Sequence, residues 1–64
     1  MESLWQLHRG DDLTEGNLHD RPVGIEIELD LNGRTYYCGR FPTRAEARHW
    51  AADKREQLET QGWL

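Results

Sequence analysis

From Val23 to Asp30 the chain alternates apolar and acidic residues with a period of two: Val23, Ile25, Ile27 and Leu29 against Glu26, Glu28 and Asp30. That period predicts a strand with one buried and one solvated face. Asp30-Leu31-Asn32-Gly33 suits a tight turn, and the residues after it form the returning strand of a hairpin. Two registers are open. A three-residue loop ending in a bulge sets Asp30 opposite Arg34, Leu29 opposite Thr35, Ile27 opposite Tyr37 and Val23 opposite Phe41. Tyr37 and Phe41 then face the core, while Tyr36, Cys38 and Arg40 face away. A two-residue Asn32-Gly33 turn reverses these faces and buries Tyr36 and Cys38. The first is preferred because it pairs an acid with a base and Val with Phe.

The period changes after Pro42. Ala47, Trp50, Ala51 and Leu58 recur at helical spacing, which predicts an amphipathic helix from Arg44 to Gln61. Thr43 followed by Glu46 is a capping box at its start. Gly62 suits the left-handed position after its end, with Trp63 folding back on Leu58. Near the N-terminus, Ser3-Leu4-Trp5-Gln6-Leu7-His8 fits a short strand with Trp5 and Leu7 inward. The segment between, residues 9–22, shows neither period and is rich in Gly, Asp and Asn, so a long acidic loop is expected there. The fold class expected is α+β: one domain over residues 1–64, with a three-stranded antiparallel sheet and one C-terminal helix packed on one face.

Composition narrows the function. A chain of 64 residues buries only roughly 60% of its unfolded surface, so packed aromatics such as its three Trp residues, or a partner, must stabilise it. Cys38 is the only cysteine, and the chain has no export signal and no apolar run long enough to span a membrane, which points to a reduced, cytoplasmic setting. The net charge of -4 disfavours general nucleic-acid binding. It is unevenly spread: residues 1–32 carry a net -6 and residues 33–64 a net +2. His8, His19, His49 and Cys38 match no metal-ligand spacing, so neither metal nor cofactor is expected. The Arg9-Gly10-Asp11 triplet has no use as an adhesion signal in an unexported chain. Glu26 and Glu28, on an open sheet face, lack the desolvation that acid–base catalysis needs.

Gly39, Phe41, Thr43, Glu46 and Ala47 form the pattern GxFxTxxEA, which over residues 36–62 resembles two families. One is the AP2-like DNA-binding domain found at the N-terminus of tyrosine recombinases and in plant transcription factors. There, three strands pack on one helix and the sheet enters the major groove. The other is the peptidoglycan-binding SPOR domain. The AP2-like resemblance implies phosphate contacts from Arg34, Arg40, Arg44 and Arg48, with Tyr36 near the bases. Against it, Glu26 and Glu28 would meet phosphates on the same face.

Arg44 and Arg48 are a like-charge pair four residues apart on the helix. Either the acids Asp11, Asp12, Glu15 and Asp20 accept them, or a partner does. One helix covers one sheet face, leaving Tyr36, Cys38 and Arg40 beside Glu26, Glu28 and Arg34 on the other, a composition typical of interfaces. The function expected is a non-catalytic, cytoplasmic protein-interaction module that self-associates through that face. An AP2-like DNA-binding accessory protein of a phage or mobile element is the alternative.

Overall fold

Four strands and a helix follow one another along the chain: β1 (Glu2–Arg9), β2 (Asp12–Arg21), β3 (Gly24–Leu31), β4 (Arg34–Phe41) and α1 (Arg44–Thr60). The computed structural model describes residues 1–64. The strands pair antiparallel in the order β1-β2-β3-β4, and α1 crosses one face against β1, β3 and β4. The class is α+β as expected, but the sheet has four strands and not three.

The additional strand is β2, and it occupies the expected acidic loop over residues 9–22. Its helix-facing side reads Thr14, Gly16, Leu18, so a single large apolar residue marks the period. The gap at Gly16 is filled from outside. A Cβ there would lie 2.6 Å from Cε2 of Trp5, so the indole lies directly over the glycine backbone. Trp5 also donates from Nε1 to the carbonyl of Ala51 at 3.0 Å, tying β1 to the helix. A strand whose apolar surface is lent by its neighbour has little hydrophobic period of its own.

All three hairpins close through two residues. Gly10 and Asp11 join β1 to β2, so Arg9-Gly10-Asp11 belongs to a turn. Pro22 and Val23 join β2 to β3, which leaves Val23 exposed in the turn and not paired with Phe41. Asn32 and Gly33 join β3 to β4 with φ of 51° and 83°; positive values at both central positions match the twist of the strands.

The β3–β4 register corrects both expectations at once. Leu31 pairs with Arg34 and Asp30 with Thr35, but Leu29 pairs with Tyr37, leaving Tyr36 as an extra residue. The turn is the two-residue one, and a bulge two residues later restores Tyr37 and Phe41 to the helix side. The expected pairs Asp30–Arg34, Leu29–Thr35, Ile27–Tyr37 and Val23–Phe41 are all displaced. Cys38 and Arg40 still face away, opposite Glu28 and Glu26. β1 has a matching bulge: Ser3 pairs with Asn17 and Trp5 with Gly16, so Leu4 is extra and packs against the core beside Trp5.

The helix ends as its caps dictate. Thr43 Oγ1 accepts from the Glu46 amide at 3.1 Å. At the other end Gly62 has φ of 95°, and the amides of Trp63 and Gly62 donate to Leu58 and Glu59. This turn buries Trp63 and carries Leu64 to the edge of β1. There His8 and Leu64 exchange two backbone hydrogen bonds of 2.7 and 2.8 Å. Arg9 completes the closure, with its guanidinium 4.5 Å from the centre of the Trp63 ring.

Candidate functional site

The sheet face away from α1 is a mat of polar groups bonded to one another. Thr35 Oγ1 lies 2.8 Å from Glu28 Oε1 and 2.7 Å from Asp30 Oδ1. Arg21 reaches Glu26 at 3.4 Å, and Asn17 donates to Asp30 at 3.4 Å. His19 Nε2 is 3.1 Å from Glu28 Oε2 but is not aligned for a hydrogen bond, so the pair is a charge contact only when the imidazole is protonated. Glu26 faces Arg40 across the strands. Groups that satisfy each other in this way gain little from a partner that must first displace those bonds.

Cys38 is exposed on this face. Partial desolvation, a hydrogen bond with Glu26 and the negative charges of Glu26 and Glu28 push its thiol above the ordinary value, while Arg40 pulls the other way. It therefore stays protonated and is a poor nucleophile.

The expected surface of Glu26, Glu28, Arg34, Tyr36, Cys38 and Arg40 is split between two sides. The two-residue turn puts Tyr36 on the helix side, where its hydroxyl lies 3.5 Å from Oγ1 of the buried Thr14. Arg34, opposite Leu31, shares that side. Arg44 and Arg48 are taken up within the molecule: Arg44 bonds Glu2 at 2.7 Å and Asp20 at 3.2 Å, and Arg48 bonds Glu2. Asp20 was among the acids expected to accept them; Glu2 was not, since nothing local marks a partner more than forty residues away. No group of three or more His, Cys, Asp or Glu is arranged to hold a metal ion.

A different surface stands out along β4. Tyr37 stacks on Trp50 with ring centres 4.9 Å apart and planes 14° apart, and Phe41 packs on Trp50 at 5.7 Å. Gly39 lies between Tyr37 and Phe41 on the strand, and the Tyr37 ring folds over its bare backbone; any Cβ there would collide with it. Tyr36 is 52% exposed and Tyr37 37%, with Leu31 alongside at 40%, so the aromatic strip is only partly covered. Between strip and helix runs a shallow cleft of about 450 Å³ lined by Phe41, Ala45, Glu46, His49, Trp50 and Asp53. The outer edge of β4 has no neighbour: β4 ends the sheet, and none of the backbone hydrogen bonds outside the regular elements involves residues 34–41.

Sequence reasoning assigned Tyr37, Phe41 and Trp50 to the core and so missed them as surface. The available signal was the Tyr36-Tyr37 pair, since two consecutive large aromatics on a strand suit a bulge that turns both to one side. Comparison with protein-family models, curated proteins and solved structures gives no match.

Proposed function

We propose that this chain is a small, non-catalytic protein-interaction module of the cytoplasm, and that it recognises its partner through the β4 side and not through the polar sheet face. The supporting observation is the coincidence, on one side of the molecule, of an unpaired strand edge with a partly exposed aromatic strip. Each is a surface that proteins ordinarily cover or use. Self-association through the opposite face has less motive, because Tyr36 is not there and Glu26 and Glu28 already bond Arg21 and Thr35. Three of the four cations of the AP2-like reading lie against acids. Arg44 and Arg48 are held by Glu2 and Asp20, Arg40 stands opposite Glu26, and the fourth strand departs from the three that the resemblance implies. The unpaired Cys38 is consistent with a reducing compartment, and no helix is long and apolar enough to cross a membrane.

A random-peptide display selection on the immobilised chain, followed by amide shift mapping of the enriched sequences, tests this reading. Ligands should perturb β4 and Trp50, and Tyr36→Glu should abolish binding while the fold is retained. Ligands that perturb Glu26, Glu28 and Cys38 instead, or a selection that enriches nothing, would contradict it.

A further inference from the structure

We infer that the β4 edge takes an extended segment of a partner protein as a fifth strand, and that the cleft beside it receives a lysine or arginine of that segment. This deepens the interaction reading above and rests on it.

The two outer strands of the sheet differ in what their edges can accept. An exposed edge can bind an added strand through its free amides and carbonyls, with alternate side chains of the addition read by pockets on one face. β1 cannot offer this over its full length, since Leu64 already pairs with His8. From Tyr37 to Phe41 the edge of β4 is regular, unpaired and flanked by the cleft.

The cleft is lined by aromatic rings and acids. Phe41 and Trp50 give it an aromatic floor, and its helix wall carries the carboxylates of Glu46 and Asp53, with Glu56 one turn further on. The bases on that side are His49, which is 3.5 Å from Asp53, and Lys54, which lies beyond Trp50. An aromatic floor bordered by the carboxylates of Glu46 and Asp53, two turns apart on α1, suits a long aliphatic stem ending in a cation. The stem lies along Phe41 and the side of Trp50 that Tyr37 leaves free, and a carboxylate of the helix wall accepts the hydrogen bonds of the charge. Arg40 points to the other sheet face, opposite Glu26, and Arg34 lies at the far end of β4, so neither opposes a cation at this point. The net charge of -4 favours a basic partner at longer range.

A second copy of the chain fits less well. Self-pairing of β4 that keeps side chains on matching faces centres on Gly39 and runs only from Tyr37 to Phe41, stopped by the bulge at Tyr36 and by Pro42. Five paired residues bury far less than the roughly 800 Å² per partner of a stable interface. They would also turn the two walls bearing Glu46 and Asp53 toward each other.

The test uses the full chain and capped seven-residue peptides of alternating Val and Thr, with Lys, Arg, Gln or Glu at the one position that faces the cleft. Affinity is measured by titration at low and high salt, and amide exchange is followed over residues 34–41. The Lys and Arg peptides should protect β4 amides and bind on the order of tenfold more tightly than the Gln peptide. Raised salt and Asp53→Asn should each erase most of that difference, and the Glu peptide should bind least. Equal binding of all four with β4 protected would overturn the cation site and leave the interaction reading standing. Ligands that bind without protecting β4 would overturn the strand addition. Protection of β4 in the peptide-free chain, with a mass that rises with concentration, would make a second copy the occupant and overturn the proposal. If these peptides fail and random selection also finds nothing on β4, the underlying reading fails as well.

Discussion

The two outer strands of the sheet are built alike and finished differently. β1 and β4 each carry one bulge, at Leu4 and at Tyr36, and each bulge turns two successive large residues toward the helix. On β1 those residues are absorbed: Trp5 is 7% exposed, fits over Gly16 and bonds the helix, and Leu4 packs beside it. The C-terminal end of the edge is then paired at His8 by Leu64, with Trp63 and Arg9 stacked behind it. On β4, Tyr36 and Tyr37 remain partly in solvent and no segment pairs with the outer edge of the strand. A single helix covers a four-stranded sheet incompletely, and the closing tail goes to β1. The tail pairs one end of the β1 edge and none of the β4 edge, and β4 is where recognition is proposed.

Substitutions separate the two sides by size of effect. Trp63→Ala should be the most damaging, at about 3 to 5 kcal/mol in denaturant unfolding, because it removes a buried indole and releases the tail from β1. Gly16→Ala should follow, at about 1 to 3 kcal/mol, since its Cβ displaces Trp5 from the Ala51 carbonyl. An unchanged midpoint would mean that the indole does not depend on the bare backbone. Leu64→Pro removes one of the two bonds to His8 and should cost about 1 kcal/mol, with faster exchange at β1 and none of this at β4. Tyr36→Glu should shift stability by less than about 0.5 kcal/mol, as a surface change does; a loss like that of Trp63→Ala would show that β4 is closed after all.

The smallest effect is at Cys38, whose raised thiol pKa fixes a sign. The folded state holds the proton beyond the ordinary thiol value, so stability is retained below that value and declines as pH rises through it. Alkylation of the native chain should accordingly reach its plateau at higher pH than alkylation of the unfolded chain. The reverse order would mean that Arg40 outweighs Glu26 and Glu28.

Local signals carried the parts of the fold that the sequence made legible. Thr43 and Gly62 act within a few residues of themselves, and both helix ends stand where they point. The alternation of β3 placed Ile25, Ile27 and Leu29 in the core, and Trp5 and Leu7 of the first strand also lie inward. What was missed depends on residues distant in sequence. β2 was hidden because Trp5 supplies its surface at Gly16, and the acceptor of Arg44 and Arg48 is Glu2, at the other end of the chain. The site failed for a subtler reason. Face assignments past a hairpin assume an unbroken period of two; the shorter turn moved Arg34, Thr35 and Tyr36 to the faces opposite those expected, and the bulge then returned Tyr37, Cys38 and Arg40 to theirs.

Residue-resolved amide exchange of the free chain, recorded at micromolar and millimolar concentration, tests most directly whether β4 is the open side. The amides of His8 and Leu64 should be protected at both concentrations, and the outward-facing amides from Arg34 to Phe41 should exchange near the rate of an unstructured chain at both. Outward amides of β4 that are protected to the same degree as those of β1 would contradict the account.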